Sequence, residues 1–506
     1  MTSSLQPRSA ARGGPPRKWD RSIPPPLRPL VRAYVLGYAS AVVPRLFTLV
    51  LQQVTAARKG SRGGGGGGGG GGPDNNGALQ PPRESPVVSL QRILRGGLDP
   101  QRFPTFCAAL VGGSTLFEIL FRRLCYRIPG SLSAAARQRL SRWLATFAAA
   151  CLSLKLVQSK ASPGFTETVP AGDDKNPGSA PQTIRYAGRT LDLSLFALSR
   201  ALDVIIGEQW ARRQTRRVAN KQWTEFETAA SNLADPTMFA VSCALIMWSW
   251  FYYPSRLPLA YNKWISSAAS VDKRLIQALQ RCRTKELQYG QDTGQAPLVQ
   301  GMCLEYKWPP QWGDPAVTVP FPCEVVHMGC GPSCEYHALS RFYRSFRWSL
   351  FTYLPLNLLL VARQPSFRKL KQALLSAARS SAFLGAFITL FYYGVCLART
   401  RIGPHLLGKD TEARNLIDGG LCVGTGCFAC GWSILLENPG RRKDMALFVA
   451  PRAMATLLPR RYPLDKQWRE TLVFAASTAV VFTCVLENPK RVRGVLGNVL
   501  NTVLRP

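Results

Sequence analysis

Ten runs of apolar residues, each roughly 15 to 22 residues long, divide this chain and constrain its fold more than any other feature. They lie at 30–51, 103–121, 143–157, 189–207, 236–254, 346–362, 380–398, 418–436, 444–458 and 470–487. A helix rises 1.5 Å per residue, so about 20 apolar residues cross a hydrocarbon layer of about 30 Å. A soluble chain of 506 residues would spread its hydrophobic residues differently. The expected fold is therefore all-α: a polytopic transmembrane helical bundle in which eight to ten of these segments span. Mean hydropathy is only −0.04 because long polar loops dilute the apolar runs.

The net charge of +35 raises nucleic acid as a partner. A nucleic-acid binder gathers its basic residues on one face or along one helix. Here they stand at the ends of the apolar runs, as Arg122 and Arg123, Arg212 to Arg217, Arg441 to Lys443, and Lys490 to Arg493. Loops that flank membrane spans and meet anionic headgroups have this pattern. The expected partner is the lipid bilayer, with other membrane proteins or a second copy of the chain as further candidates, and no nucleic acid. Residues 1–29 are basic and Pro-rich with no early apolar core, so they read as a disordered tail rather than a secretory signal. Gly63 to Gly72 form a flexible linker, and 158–185, rich in Pro, Gly and Asp, reads as a disordered loop.

The chain also repeats itself. Asp192-Leu-Ser-Leu-Phe-Ala-Leu-Ser-Arg200-Ala201 matches Asp444-Met-Ala-Leu-Phe-Val-Ala-Pro-Arg452-Ala453 at Asp, Leu, Phe, Arg and Ala. Phe239-Ala240-x-Ser242-x-Ala244 matches Phe474-Ala475-x-Ser477-x-Ala479, and both segments close on Pro-x-Arg. The common order of the matches divides the chain into a first half at 30–254 and a second at 346–491. Between them lies a connecting loop, 255–345, with a Cys-rich stretch at 323–337; a C-terminal tail, 492–506, follows. If all five segments of each half cross, the second half is inverted relative to the first. If the fourth only lies at the interface, the halves are parallel. Segment 444–458 would be about 22 Å long as a helix, short of a full crossing, and parity stays open.

Ionisable residues inside spans are costly, which makes Glu118, Lys155, Asp192, Arg200, Asp203, Asp444 and Arg452 the candidates for function. Glu118 can pair with Arg122 four residues on, and Lys155 can snorkel from a span end. The repeated charges are sharper. Asp192 and Arg200 share a helix face but lie about 12 Å apart, too far to pair. In an inverted arrangement Asp192 would meet Arg452, and Arg200 would meet Asp444. Gly420 and Gly424 have the spacing that lets membrane helices approach closely.

Of fourteen cysteines, eight (107, 151, 243, 396, 422, 427, 430 and 484) fall in apolar segments and read as small packing residues. The loop set Cys323, His327, Cys330, Cys334 and His337 holds ligand types that zinc uses, but its spacing matches none of the common finger patterns. The expectation is a structured turn without a metal, with a metal site or a disulfide as the alternatives. No phosphate-binding loop, zinc-protease motif or nucleophile elbow is present, and there are only three histidines. The sequence therefore reads as a non-enzymatic protein with no catalytic residues and no cofactor.

The stretch Cys323-Glu-Val-Val-His327…Pro332-Ser333-Cys334, followed by Tyr353-Leu354-Pro355, resembles the cysteine-rich module of the transmembrane protein 135 family, also called peroxisomal membrane protein 52. Arg441-Arg442…Phe448…Arg452-Ala453 and the two-half organisation are also similar to that family. The likeness is best over 321–491, with 103–254 as its paralogous half. The histidine after Cys323 is shifted by one place from the family pattern, and Cys330 is extra. The Gly-rich spans are remotely similar to the Tim17/Tim22/Tim23 translocase-like proteins. The resemblance implies a multi-pass protein of the peroxisomal membrane, with the mitochondrial membrane as the alternative, linked to organelle dynamics and lipid or fatty-acid homeostasis. A transporter or channel with a site at the repeat interface is the other class.

Overall fold

A computed structural model describes residues 20, 22–62, 86–127, 133–169, 182–362 and 365–504. The Gly63–Gly72 tract and most of the N-terminal tail lie outside these residues. The described chain is predominantly helical, and every one of the ten apolar segments forms helix. Seven of the helices are long and apolar enough to cross a membrane, the pattern of a multi-pass membrane protein. The three segments not among the seven are 189–207, 346–362 and 444–458. Charged residues lower the hydropathy of the helices at the first and third of these, Asp192, Arg200, Asp203 and Glu208 in one and Arg441 to Asp444 and Arg452 in the other.

The chain divides into two compact units. The first comprises residues up to Lys160 together with 478–487 and 498–506. It contains α1 (Arg28–Arg62), α2 (Pro86–Gly97), α3 (Phe103–Arg127) and α4 (Ala134–Gln158). Small residues set the spacing of the α3–α4 pair: a β-carbon on Gly113 would lie 3.0 Å from that of Ala149. The Ser133 hydroxyl caps α4 by accepting the Ala136 N–H. Glu118 pairs with Arg142 of α4 at 3.0 Å, not with Arg122 of its own helix as the four-residue spacing suggested. The antiparallel packing of α4 supplies a cation from a neighbouring helix, and the intrahelical pair is not needed. The buried Asp20 carboxylate accepts from Arg32 Nε at 2.6 Å.

The second unit comprises 161–477 and 488–497. It opens with β1 (Thr166–Val169) and β2 (Gln182–Ala187), paired antiparallel, and β3 (Tyr462–Pro463) adds to β2. This small sheet is a minor addition to a chain that is otherwise helical, as expected, and its first two strands lie at the two described ends of 158–185. The strands are short and rich in β-branched residues, and their paired backbones satisfy one another. There follow α5 (Leu191–Ala219), α6 (Glu225–Tyr252), α7 (Leu259–Ala269), α8 (Lys273–Thr284), α9 (Ala296–Glu305), α10 (Cys323–Val326) and α11 (Cys334–Ala362). The unit continues with α12 (Phe367–Leu397), α13 (Gly403–Leu407), α14 (Thr411–Leu416), α15 (Cys422–Cys430) and α16 (Pro439–Thr456). Next come α17 (Trp468–Glu487) and α18 (Gly494–Leu504), each of which is shared by the two units.

The core of the second unit is built by α6, α12, α15 and α16, with Phe239, Ile246, Phe391, Val423, Cys427 and Ile434 among its buried residues. The connecting segment 255–345 is more than a loop. Its helices enclose a separate core in which Tyr289, Met302, Cys303 and Val325 are almost fully buried. Asp272 caps α8 by accepting the Arg274 N–H at 2.9 Å.

Candidate functional site

Three features of the second unit gather polar or ligand-capable chemistry. The first is a cavity of about 400 Å³ between α6, α7, α12 and α16, lined by Met247, Tyr261, Trp264, Phe387, Ile388 and Val449 among others. The Arg452 guanidinium lies over the rings of Phe448 and Tyr261, at 4.1 and 5.6 Å, beside this cavity. A smaller, mainly apolar depression shares Tyr353, Phe383 and Met445 with it and has Ser380, Glu437, Arg441 and Asp444 at its edge. Arg441 there donates to the hydroxyls of Ser376 and Ser380 at 2.7 and 3.0 Å.

The second feature is the group of repeated charges. Asp192 pairs with Arg460 at 2.9 Å, not with Arg452. The helices α5 and α16 pack together with the start of α5 beside the end of α16. The chain runs on past Thr456 and brings Arg460 to Asp192, while Arg452, a turn earlier, engages aromatic rings. Arg200 is buried and lies within electrostatic range of Asp203 and Asp444. Arg493 completes the group: its Nε donates to Asp203 at 3.0 Å, its Nη1 pairs with Asp235 at 3.2 Å, and its carbonyl accepts from Arg200. Gly494 follows, where a β-carbon would overlap the Asp444 carboxylate. The sequence reading singled out Asp192, Arg200, Asp203 and Asp444 but missed Arg493, Arg460 and Asp235, which stand outside the apolar runs or at their edge.

The third feature is the Cys/His stretch. His327 and His337 are fully buried and their rings stack, with centroids 4.4 Å apart and planes 11° apart. His327 Nδ1 lies 2.7 Å from the Gly331 carbonyl, and its Nε2 lies 3.3 Å from Cys396 Sγ. Cys323, His327 and Cys334 have their ligand atoms within 4.8 Å of one another. Burial holds both imidazoles below their ordinary pKa, His337 at about 3, and pushes the Cys323 thiol up. Cys330 turns elsewhere, to the Ser340 hydroxyl. Both ring nitrogens of His337 are buried without a hydrogen-bond partner among the described residues.

The Gly420–Gly424 spacing does not mark a close helix approach. Gly420 has φ +147° at a π-helical turn, Ile417–Leu421, and the two glycines make room for the Trp248 indole, with the Arg283 guanidinium also beside Gly420. Close approach occurs instead at Gly394, where a β-carbon would lie 3.0 Å from Gly426 Cα, and at Gly431, where it would lie 2.4 Å from Ala240 Cα. Glycine spacing alone does not say which of several glycines a neighbouring backbone will meet.

No known protein family, curated protein or solved structure matches this chain.

Proposed function

We propose that this chain is a non-enzymatic, multi-pass protein of the peroxisomal membrane, with the mitochondrial membrane as the alternative, that contributes to lipid and fatty-acid homeostasis by holding an acyl chain. The observation that carries this reading is the apolar cavity beside α7. Its volume of about 400 Å³ falls in the range of ligand sites, roughly 300–1,000 Å³. Its lining is almost wholly hydrocarbon and aromatic, which suits an acyl chain and offers nothing to a hydrophilic solute. The adjoining depression places Arg441 within reach of an acidic head group. A transported polar solute would need charged or hydrogen-bonding groups along its path, yet Asp192, Arg200 and Arg452 do not line the cavity. The two halves, related by the Asp…Arg repeat, are part of the same proposal, as is the spanning of eight to ten segments.

A photoactivatable fatty acid incubated with the purified chain tests this directly. Labelled peptides should come from α7 and α12, and Ala268→Trp, which fills the cavity, should reduce labelling severalfold. Labelling that is unchanged in the Ala268→Trp chain and scattered over lipid-facing helix surfaces would overturn the acyl-chain reading. Fractionation of a tagged chain in cells assigns the organelle, and recovery only in other membranes would overturn that part.

A further inference from the structure

The segment 323–334 folds back so that two cysteines and a histidine converge on the end of α12. We propose that Cys323, His327, Cys334 and Cys396 bind one zinc ion in a closed, tetrahedral three-cysteine, one-histidine site that fastens the segment 255–345 to α12. This inference is independent of the acyl-chain reading.

The geometry carries it. In a tetrahedron with Zn–S of about 2.3 Å and Zn–N of about 2.0–2.1 Å, ligand atoms stand roughly 3.5 to 3.8 Å apart. Cys323, His327 and Cys334 already lie within 4.8 Å of one another, and His327 Nε2 is 3.3 Å from Cys396 Sγ. Cys396 approaches this set from the His327 side and stands outside the three ligands that lie mutually within 4.8 Å, so closing all four around an ion requires its Sγ to move toward Cys323 and Cys334.

The histidine is oriented as a metal ligand. Gly331 offers a carbonyl to Nδ1, which must carry the proton to donate to it, and this leaves the Nε2 lone pair facing sulfur. Metal-bound histidines have this outer-shell partner, which fixes ring and tautomer. The turn that delivers the carbonyl needs left-handed backbone at Met328, Gly329 and Gly331, and the two glycines adopt it without strain. His337 stacks on the opposite face of His327 and holds its plane.

Charge and closure also fit. Three thiols release three protons on binding, and the complex of zinc, three thiolates and neutral imidazole carries a net charge of −1. The Arg399 guanidinium, one turn beyond Cys396, donates to the Phe321 carbonyl at 3.3 Å, two residues before Cys323, while its charge is met chiefly by Asp418. The thiols of Cys323, Cys334 and Cys396 are free, so no disulfide occupies the site. His327, Cys334 and Cys396 are buried and Cys323 is half-buried, as a structural ion rather than an open catalytic one requires.

The test uses the full chain purified in detergent under reducing conditions. Elemental analysis should find about one zinc per chain, and cobalt exchanged into the site should give the intense visible bands of tetrahedral thiolate coordination. Cys396→Ser and Cys334→Ser should each weaken zinc at least tenfold, because loss of an outer-shell partner alone costs about 10–100-fold. Cys330→Ser should keep both the zinc and the spectrum. If the cobalt spectrum of the parent chain lacks thiolate bands, the site does not exist, whatever the variants do. Loss of metal in Cys330→Ser equal to that in Cys396→Ser would also overturn it.

Discussion

Arg399 holds both carboxylate oxygens of Asp418, through Nε at 2.6 Å and Nη2 at 2.7 Å, and both side chains are nearly sealed from solvent. Each stands at a π-helical turn, Ala398–Ile402 and Ile417–Leu421, where the wider helix frees backbone and redirects a side chain inward. The Tyr289 hydroxyl donates to Asp418 Oδ2 at 2.6 Å and ties the pair to the core of the connecting segment. The three residues join the end of α12 to the start of α15 and to the segment 255–345.

Removing one member of this pair strands a buried charge, which costs about 3–5 kcal/mol. Arg399→Ala and Asp418→Ala should each lower the midpoint of thermal unfolding in detergent markedly. Arg399→Met combined with Asp418→Leu should recover most of the loss, because neither charge then remains unpaired. Losses that simply add in the double variant would show that the two side chains do not act together.

The glycines make a second, opposed pair of expectations. A β-carbon on Gly426 would meet the Phe391 carbonyl oxygen at 2.7 Å, and backbone cannot swing aside as a flexible side chain can. Gly426→Ala should therefore destabilise by about 1–3 kcal/mol, the usual range for overpacking. Gly424→Ala meets only the edge of the Trp248 ring at 3.6 Å and should be nearly neutral. Protease resistance of the two variants, side by side, checks this; equal resistance would remove the close approach of α12 and α15 as a packing determinant.

How far this was readable beforehand differs from element to element. The apolar runs announced every long helix, because length and hydropathy leave few alternatives to a helix of that size. Arg399 and Asp418 escaped notice because one follows the run 380–398 and the other opens the run 418–436, where charge ordinarily means a solvated flank. Only the π-helical turns put them inside. Cys396 looked like seven other span cysteines, and nothing local distinguishes it, since its partners are 62 or more residues away in the chain. His327 and the glycines around it were visible as a turn, and a fourth ligand had to be supplied by tertiary packing. The β1–β2 pair was hidden by the Pro- and Gly-rich stretch between its strands, although Thr-Glu-Thr-Val and Gln-Thr-Ile-Arg-Tyr-Ala are rich in residues that favour strands.

The connecting segment should respond to acid through Asp272. Its carboxylate caps α8 and pairs with Arg274 at 2.8 Å, and that hydrogen bond, with the cap and the neighbouring guanidinium charge, holds its pKa below the ordinary carboxylate value. A depressed folded-state pKa means that the stabilisation is fully present above the unfolded value of 3.8 and fades as pH falls through the lower folded one. Asp272→Ala should cost about 1 kcal/mol at neutral pH, typical of a lost cap. The gap between parent and variant should shrink below about pH 4. A gap that stayed constant from pH 7 to pH 3 in thermal scans would mean that the carboxylate charge contributes nothing.

Asp192 and Arg452 have different partners around the packed pair α5 and α16. Asp192 is half exposed and meets Arg460 through two hydrogen bonds, at 2.9 and 3.4 Å, so this is a surface-type pair worth about 0.2–1 kcal/mol. Arg452 donates to the Phe448 carbonyl at 3.1 Å and covers the Phe448 and Tyr261 rings, contacts worth about 0.5–1 kcal/mol that owe nothing to Asp192. A double-mutant cycle of Asp192→Ala with Arg460→Ala should therefore show a coupling of a few tenths of a kcal/mol or more, reduced by salt. The cycle of Asp192→Ala with Arg452→Ala should be additive within about 0.3–0.5 kcal/mol. Both cycles can be read by thermal shift in one detergent at two salt concentrations. Coupling in the second cycle and not in the first would place Arg452 against Asp192 after all, and would restore the reciprocal Asp–Arg exchange between the repeats that the sequence alone suggested.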